Sequence, residues 1–454
     1  MLVKSIRFNS TVNMPVNSGY MFANLTNLIS FDSKNVDTSQ VVMMFYMFSS
    51  TGITHLDLSN WDVKKVQLFT LMFSGSKQLK SLNLSGWGVG RTANNVNMHG
   101  MFSSTNNLTN INLDNFSTTN VTRLDYMFSS SGIISLDLSS WDVTKVSMFG
   151  YMFYNTSALT DLNLSNWGVD RTAIDVSMYS MFRNTNKLQN LVLTNFKTTN
   201  VINMAYMFCD VGVRTLDLSD WDMSQVEICE YMFSNANRLL KITLGEQVTF
   251  TQPPYFSNPE VGAIITDNGQ TYKATANRWQ SVGSGTDHKP TGELVTGTQM
   301  AASTPRPVTY VWAQSATIHA ASPLTFGIKG ASAFRNEGSP IADNMSSGTV
   351  DLINLGDDVN YNVTVAQTSD WTTEGELAKI TKSALKLRYG SGDLSVGAIN
   401  FWSGTSSTSE KSILFNHDTN KNFSVWLNPN TVISSDLLGK QLESELTWTL
   451  SETP

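Results

Sequence analysis

Residues 53–73 read Ile53-Thr54-His55-Leu56-Asp57-Leu58-Ser59-Asn60-Trp61-Asp62-Val63-Lys64-Lys65-Val66-Gln67-Leu68-Phe69-Thr70-Leu71-Met72-Phe73. Two periods lie side by side in this stretch. Leu56-x-Leu58 alternates as a half-buried strand does, with both leucines inward and Asp57 outward. Val66, Phe69, Met72 and Phe73 fall at i, i+3, i+6 and i+7, the face of a short helix or 3₁₀ turn. The stretch therefore predicts one strand and one helical return.

The same unit recurs along the first half of the chain. Met-Phe recurs in one register nine times, from Met21-Phe22 to Met232-Phe233, at spacings of 26, 25, 29, 26, 25, 29, 26 and 25 residues. The triplet of spacings repeats, so a longer period of 80 residues is superimposed. A repeat of this size means stacked coils, each burying its apolar side against its neighbours. The L-x-x-L-x-L signature stands between the Met-Phe marks, and an aromatic follows it: Trp61, Trp87, Phe116, Trp141, Trp167, Phe196, Trp221. Its regularity predicts a core layer rather than a ligand box. Methionine fills irregular gaps, so Met-Phe reads as a wedge closing each coil on the convex side.

Two surfaces of such a solenoid are candidates for contact. The first is the outward strand ladder: Asp57, Asn83, Asn112, Asp137, Asn163 and Asp217, flanked by His55, Asn110, Asp161 and Asn190. Solenoids bind partners on extended concave faces of this kind, and a solvated sheet face has the same composition. The second is a pair of inserts 80 residues apart, Gly88 to Asn95 and Gly168 to Asp175, carrying Arg91 and Arg171. They read either as two copies of a contact loop or as longer turns.

The repeat signal stops at Gly245. Residues 246–315 contain Pro253-Pro254 and a hairpin pattern turning at Asn268-Gly269, and read as a small all-β connector or cap. Residues 316–454 show alternating strands at Tyr361-Val363-Val365, Leu385-Leu387-Tyr389, Phe423-Val425-Leu427 and Leu446-Trp448-Leu450, the pattern of an all-β sandwich-like domain. The expected architecture is a leucine-rich-repeat solenoid of short parallel strands with helical returns over 1–245, then the connector, then the β domain.

Composition narrows function. The net charge is −7 with mixed signs and no basic block, which argues against a nucleic-acid partner. No run of apolar residues is long enough for a membrane span, and the first residues lack the form of a secretion signal, so an upstream part or another export route is expected. Cys209 and Cys229 are too few for a disulfide framework or metal site, and their different registers argue against a bridge. His55, His99, His288, His319 and His417 share no motif, and Asp287-His288 is isolated. No catalytic residue, cofactor or metal site is expected.

The combination of Met-Phe, Leu56-Asp57-Leu58-Ser59-Asn60-Trp61-Asp62 and Leu136-Asp137-Leu138-Ser139-Ser140-Trp141-Asp142 resembles the BspA-type leucine-rich repeats of bacterial surface proteins. The resemblance implies an extracellular domain used for adhesion to host proteins or other cells. Leu446-Thr447-Trp448-Thr449-Leu450-Ser451-Glu452-Thr453-Pro454 is similar to the terminal motif of the WxL domain, the wall-binding module of low-GC Gram-positive bacteria. Pro323-Leu324-Thr325-Phe326-Gly327 is similar to that domain's first strand. Tyr361-Asn362-Val363 stands where the family has an earlier Trp-x-Leu, and Leu442 where it often has tyrosine. The resemblance implies peptidoglycan as partner, with Trp448, Leu450, Tyr361 and Val363 as its site; a Trp and Leu two apart on a strand read equally as core. The expected protein is secreted and wall-bound, and binds a host or bacterial surface protein. The alternative is a wall-associated scaffold that docks other surface proteins.

Overall fold

The structure, a computed structural model, describes residues 3–453 apart from 268, 275, 289, 314–315, 336–338, 354, 356–358, 377, 407–409, 416–420, 430 and 438. The chain forms two compact units. One holds residues 1–272, 277–279 and 295–312; the other holds 273–276, 280–294 and 313–454. The stretch 246–315 is thus divided between them.

The first unit is a β-solenoid of stacked repeats. Each L-x-L segment is a two- to four-residue strand, and successive strands pair in parallel and in register: His55↔Ser81↔Asn110, Leu56↔Leu82↔Ile111, Asp57↔Asn83↔Asn112. The 80-residue period is visible as a repeating three-strand sheet. His55–Asp57, Ser81–Asn83 and Asn110–Asn112 form one, and Ser135–Asp137, Asp161–Asn163 and Asn190–Val192 form the next. Thr215–Leu218 and Lys241–Leu244 start a third. The breaks fall at Ser30 to His55, Asn110 to Ser135 and Asn190 to Thr215, whereas the equally spaced Ser5 and Ser30 stay paired. Three residues before each restart stands a glycine: Gly52, Gly132, Gly212. A Cβ there would lie 2.3, 2.3 and 2.4 Å from the carbonyl oxygens of Thr26, Asn106 and Asn186. At these three positions the chain lies against the backbone of the preceding coil, and only a residue without Cβ tolerates that approach.

The returns are not helical, contrary to the periodicity. The residue before each Met-Phe and the residue two after it both have φ between 54° and 72°: Tyr46 and Ser50, Leu71 and Gly75, Tyr126 and Ser130, Tyr151 and Asn155 among them. A left-handed residue at every fourth position cannot belong to an α-helix. The reason lies in the hydrogen bonds. A helix satisfies its N–H groups within itself, whereas here alternate N–H groups reach the next coil: Met44 to Leu68 O, Tyr46 to Thr70 O, Phe48 to Met72 O, Ser50 to Ser74 O. The intervening Met47 and Ser49 N–H groups bond three residues back. This flat turn still places Met47 and Phe48 inward, which is why its apolar spacing imitates a helix.

The core is a set of aromatic columns along the stack. Phe22, Phe48, Phe73, Phe102, Phe128, Phe153, Phe182, Phe208, Phe233 and Phe256 form an unbroken column with centroid spacings of 4.5 to 5.8 Å. That spacing is set by the coil rise, close to the roughly 4.8 Å between paired strands. The aromatics after the strands are buried as expected, and the Trp87 and Trp167 Nε1 groups each donate to a carbonyl, Leu58 O and Leu138 O, at 2.8 Å. Cys209 and Cys229 are buried free thiols.

The last coil is closed by Val308–Trp312, which pairs antiparallel with Lys241–Leu244. The expected all-β connector also contains an α-helix, Gly297–Ala302, started by a reciprocal cap between Thr296 and Gln299. Ile264–Asp267 and Gln270–Lys273 pair as the expected hairpin, whose turn residue Asn268 lies outside the described residues.

The second unit is all-β among its described residues apart from 3₁₀ turns. Three larger antiparallel sheets and a two-stranded one surround one apolar core that includes Tyr361, Val363, Val365, Leu387, Phe401 and Phe423. The four expected strands are present as Asn360–Gln367, Leu385–Tyr389, Phe423–Leu427 and Leu446–Thr453. Pro323 to Gly327, expected as the first strand, is irregular; the first strand is Thr317–Ala321.

Candidate functional site

The outward ladder exists as a row. Asp57, Asp137, Asp217, His55, Asn110 and Asn190 are exposed, and Asn83, Asn112, Asn163 and Asp161 are half-buried. One oxygen of each central residue is already engaged. Asp57 Oδ1 accepts from the Ser59 N–H and hydroxyl at 2.9 and 2.7 Å, and Asp137 accepts from Ser139 at 3.0 and 2.6 Å. Asn83, Asn112, Asn163 and Asp217 accept in the same way from Ser85, Asp114, Ser165 and Ser219. These side chains fold the turn that ends each strand. The Ser59 and Ser139 bonds hold the Asp57 and Asp137 carboxyls below the usual range. Asp161 is lowered chiefly by its bond from Thr160 and then by Asn190 Nδ2, 2.5 Å away. The regular Asx residues thus have a local task, and the ladder offers only the second carboxylate oxygens of the aspartates and the amide nitrogens of the asparagines.

The inserts do not present their arginines to solvent. Arg91 lies over the Phe69 ring at 5.7 Å and donates to Ser117 O at 3.0 Å; Arg171 lies over Phe149 at 5.9 Å and donates to Thr199 O at 3.1 Å. Burial lowers both guanidinium pKa values to about 10. A Cβ on Gly88 or Gly168 would collide with the guanidinium Nη2, so the glycine makes the slot that the arginine fills. Both groups brace the longer coil.

In the second unit, Tyr361 and Val363 are buried, and Trp448 and Leu450 pack against the same core. The Trp448 ring meets Phe401 edge-on at 4.9 Å. Their strands pair antiparallel with Val363↔Leu450 and Val365↔Trp448, so both aromatic-x-aliphatic motifs lie on neighbouring strands. Thr447, Thr449 and Ser451 alternate outward.

Sequence reasoning missed a surface on the Met-Phe side. Tyrosine precedes Met-Phe at six of the nine repeats, at Tyr20, Tyr46, Tyr126, Tyr151, Tyr206 and Tyr231. In the longer coils the ring stands one residue earlier, as His99 and Tyr179. These rings form a partly exposed stripe: Tyr126–Tyr151 at 4.5 Å, Tyr206–Tyr231 at 5.0 Å and Tyr231–Tyr255 at 4.4 Å, with planes within 20°. Burial and hydrogen bonding to Tyr179 and Tyr126 raise the Tyr151 hydroxyl pKa well above its usual value. Beside the stripe is a cleft of about 340 Å³ lined by Asn155, Asn184, Asn186, Asp210, Asn235 and Arg238. The signal was in the sequence as Tyr-Met-Phe, and the helical reading of the returns hid it.

A charge cluster around buried Asp125 adjoins the stripe at His99. Arg123 holds Asp125 through both carboxylate oxygens at 3.0 and 2.8 Å, and His99 Nδ1 is 2.6 Å from Asp125 Oδ2. Burial alone would raise the Asp125 pKa, but the bonds from His99 and Arg123 outweigh it and the net shift is downward. Among the described residues no group of three His, Cys, Asp or Glu is placed to hold a metal, and no helix is long and apolar enough to cross a membrane.

Coiled strands, a leucine ladder and buried aromatic columns define a leucine-rich-repeat-like solenoid protein. Segments 9–98, 91–178 and 174–247 match the family described as "Mycoplasma protein of unknown function, DUF285", together more than half of the chain, and the chain belongs to that family. Among solved structures it is similar to a leucine-rich repeat protein from Bacteroides ovatus, at 14% identity and a TM-score of 0.27, over 54% of this chain and 76% of that one. No curated protein matches.

Proposed function

We propose that this is a secreted bacterial surface protein that acts by binding, not catalysis. Its solenoid presents an interaction face for adhesion to a host matrix protein or another cell. A WxL-type, sandwich-like β domain over residues 316–454 holds it non-covalently to peptidoglycan. The observation that carries the wall-binding half is the adjacency of the two motifs, with Val363 opposite Leu450 and Val365 opposite Trp448. On this reading Trp448, Leu450, Tyr361 and Val363 fix the terminal strand from within, and Thr447, Thr449 and Ser451 on its outer side meet the wall. Membership of the repeat family and the regular polar rungs support the adhesive half. Full-length protein is expected to co-sediment with purified Gram-positive walls, and protein lacking residues 316–454 to stay in solution; equal retention of both overturns the reading. Pull-downs from host matrix and from bacterial envelope extracts separate adhesion from a scaffold role, since a scaffold returns envelope proteins only.

A further inference from the structure

The tyrosine stripe stands where backbone chemistry disfavours it. Tyr20, Tyr46, Tyr126, Tyr151, Tyr206, Tyr231 and Tyr255 all have φ between 54° and 60°. A left-handed conformation costs a bulky side chain roughly 1 kcal/mol or more, and Gly or Asn relieves it. The parallel corner row two residues after Met-Phe carries only small or short polar residues, Asn24, Ser50, Gly75, Ser104, Ser130, Asn155, Asn184, Asp210 and Asn235. The tyrosine row does not, so its rings hold a position that the fold alone would give to smaller residues.

We propose that this stripe and the asparagine-lined cleft beside it bind a neutral, hydroxyl-rich glycan chain running along the solenoid axis. The two features are continuous. Tyr151 meets Tyr154 edge-on at 5.4 Å, next to Asn155, and the Arg183 guanidinium lies 4.8 Å from the Tyr206 ring, next to Asn184. The stripe also changes character at the cleft. The tyrosine pairs on either side stack face to face and cover one another, whereas Tyr179 is turned 65° and 66° from Tyr151 and Tyr206, as His99 is turned 63° from Tyr126 one period earlier. The stacking is broken in the coils whose corners line the cleft, which leaves ring surface beside amide groups.

The chemistry of the surface selects among partners. Asparagine amides both donate and accept, as sugar hydroxyls do. Asp210 is offset by Arg238 in the cleft lining, with Arg183 alongside, so no field of one sign favours a polyanion. The backbone is spent: the N–H groups of Asn155, Asn184 and Asp210 donate to Arg183 O, Cys209 O and Ser234 O in the next coil. A peptide therefore finds no open strand edge to extend. Side chains repeated at the rung spacing of about 4.8 Å suit a periodic polymer that meets the same contacts coil after coil.

The proposal goes beyond the wall-bound adhesin reading and is tested on the intact chain. Chitohexaose and cellohexaose are titrated calorimetrically, with heparin as the charged comparison. At least one neutral oligosaccharide is expected to bind. Tyr179→Ala, Asn184→Gly and Asp210→Asn are each expected to weaken it by about tenfold or more, equivalent to about 1.4 kcal/mol. Asn184→Gly keeps the left-handed backbone and Asp210→Asn keeps the volume, so folding is controlled by an unchanged melting curve. Absence of binding by either neutral probe at millimolar concentration overturns the proposal. So does binding of heparin alone, of matrix protein alone at this face, or oligosaccharide binding that all three variants leave intact. Retention on walls through residues 316–454 is read separately, so either idea can fail without the other.

Discussion

Replacing Gly132 by alanine tests the account of the 80-residue period. A Cβ at this position would sit 2.3 Å from Asn106 O, 2.9 Å from Asn106 C and 3.2 Å from Leu108 N. All three are backbone atoms of the preceding coil, so no side chain can rotate away. Ordinary contact requires the two coils to part by about 1 Å, at the place where the Gly132 N–H donates to Thr105 O at 3.0 Å. Overpacking of this kind costs about 1–3 kcal/mol. Gly132 is not left-handed, so alanine recovers about 0.4–1 kcal/mol by restricting the unfolded chain. The expected net loss is about 1–2 kcal/mol, concentrated at one interface between coils. Gly150 is the internal control: the nearest atom to its Cβ is Tyr179 O at 3.5 Å, and its backbone is also compatible with alanine. Gly150→Ala is expected to be neutral or to stabilise by up to about 1 kcal/mol. Urea unfolding followed by tryptophan fluorescence compares the two, and Gly212→Ala, one period later, is expected to behave like Gly132→Ala. If Gly132→Ala proves as stable as wild type and as Gly150→Ala, the glycines do not set the sheet breaks.

Trp167→Phe keeps most of the buried ring and leaves Leu138 O its bond from the Trp141 N–H, so loss of the indole bond is expected to cost about 0.5–1.5 kcal/mol in the same assay. Arg91→Met and Arg171→Met are each expected to lower stability by about 1 kcal/mol through lost bonds to carbonyls, with no change in partner binding measured by surface plasmon resonance. Asp125 has a depressed folded-state pKa, so its contribution is present above the unfolded value near 3.9 and is lost as pH falls through the lower folded value. Asp125→Asn is therefore expected to lower the urea midpoint at pH 7, with the difference shrinking as pH falls below about 4; a difference as large at pH 3 as at pH 7 contradicts the linkage.

The periodicity of the chain carried the fold class further than it carried the surface. Leu56-x-Leu58 and its copies located the strands because an L-x-L rung has one solution in a stacked coil, inward leucines in register. Val66, Phe69, Met72 and Phe73 misled because inward residues of a turn satisfied by the next coil recur at nearly helical intervals. Periodicity reports which residues are buried, not which partner their backbone finds. The same limit governed the sites. Asp57 and Asp137 looked like a contact ladder because polar repetition is visible in sequence, while the Ser59 and Ser139 bonds that occupy them are a matter of turn geometry. Arg91 and Arg171 looked exposed because charge in a loop usually is, and only the slots above Gly88 and Gly168 reveal otherwise. Tyr151 and Tyr206 were legible as letters but not as a surface, since their left-handed backbone turns outward a residue that helical spacing would have left as one more polar-face side chain. In a solenoid every core position repeats by necessity, so repetition alone identifies no site. The informative residue is one that repeats where the backbone would be better served by something else, and the tyrosine before Met-Phe meets that criterion whereas the aspartates of the ladder do not.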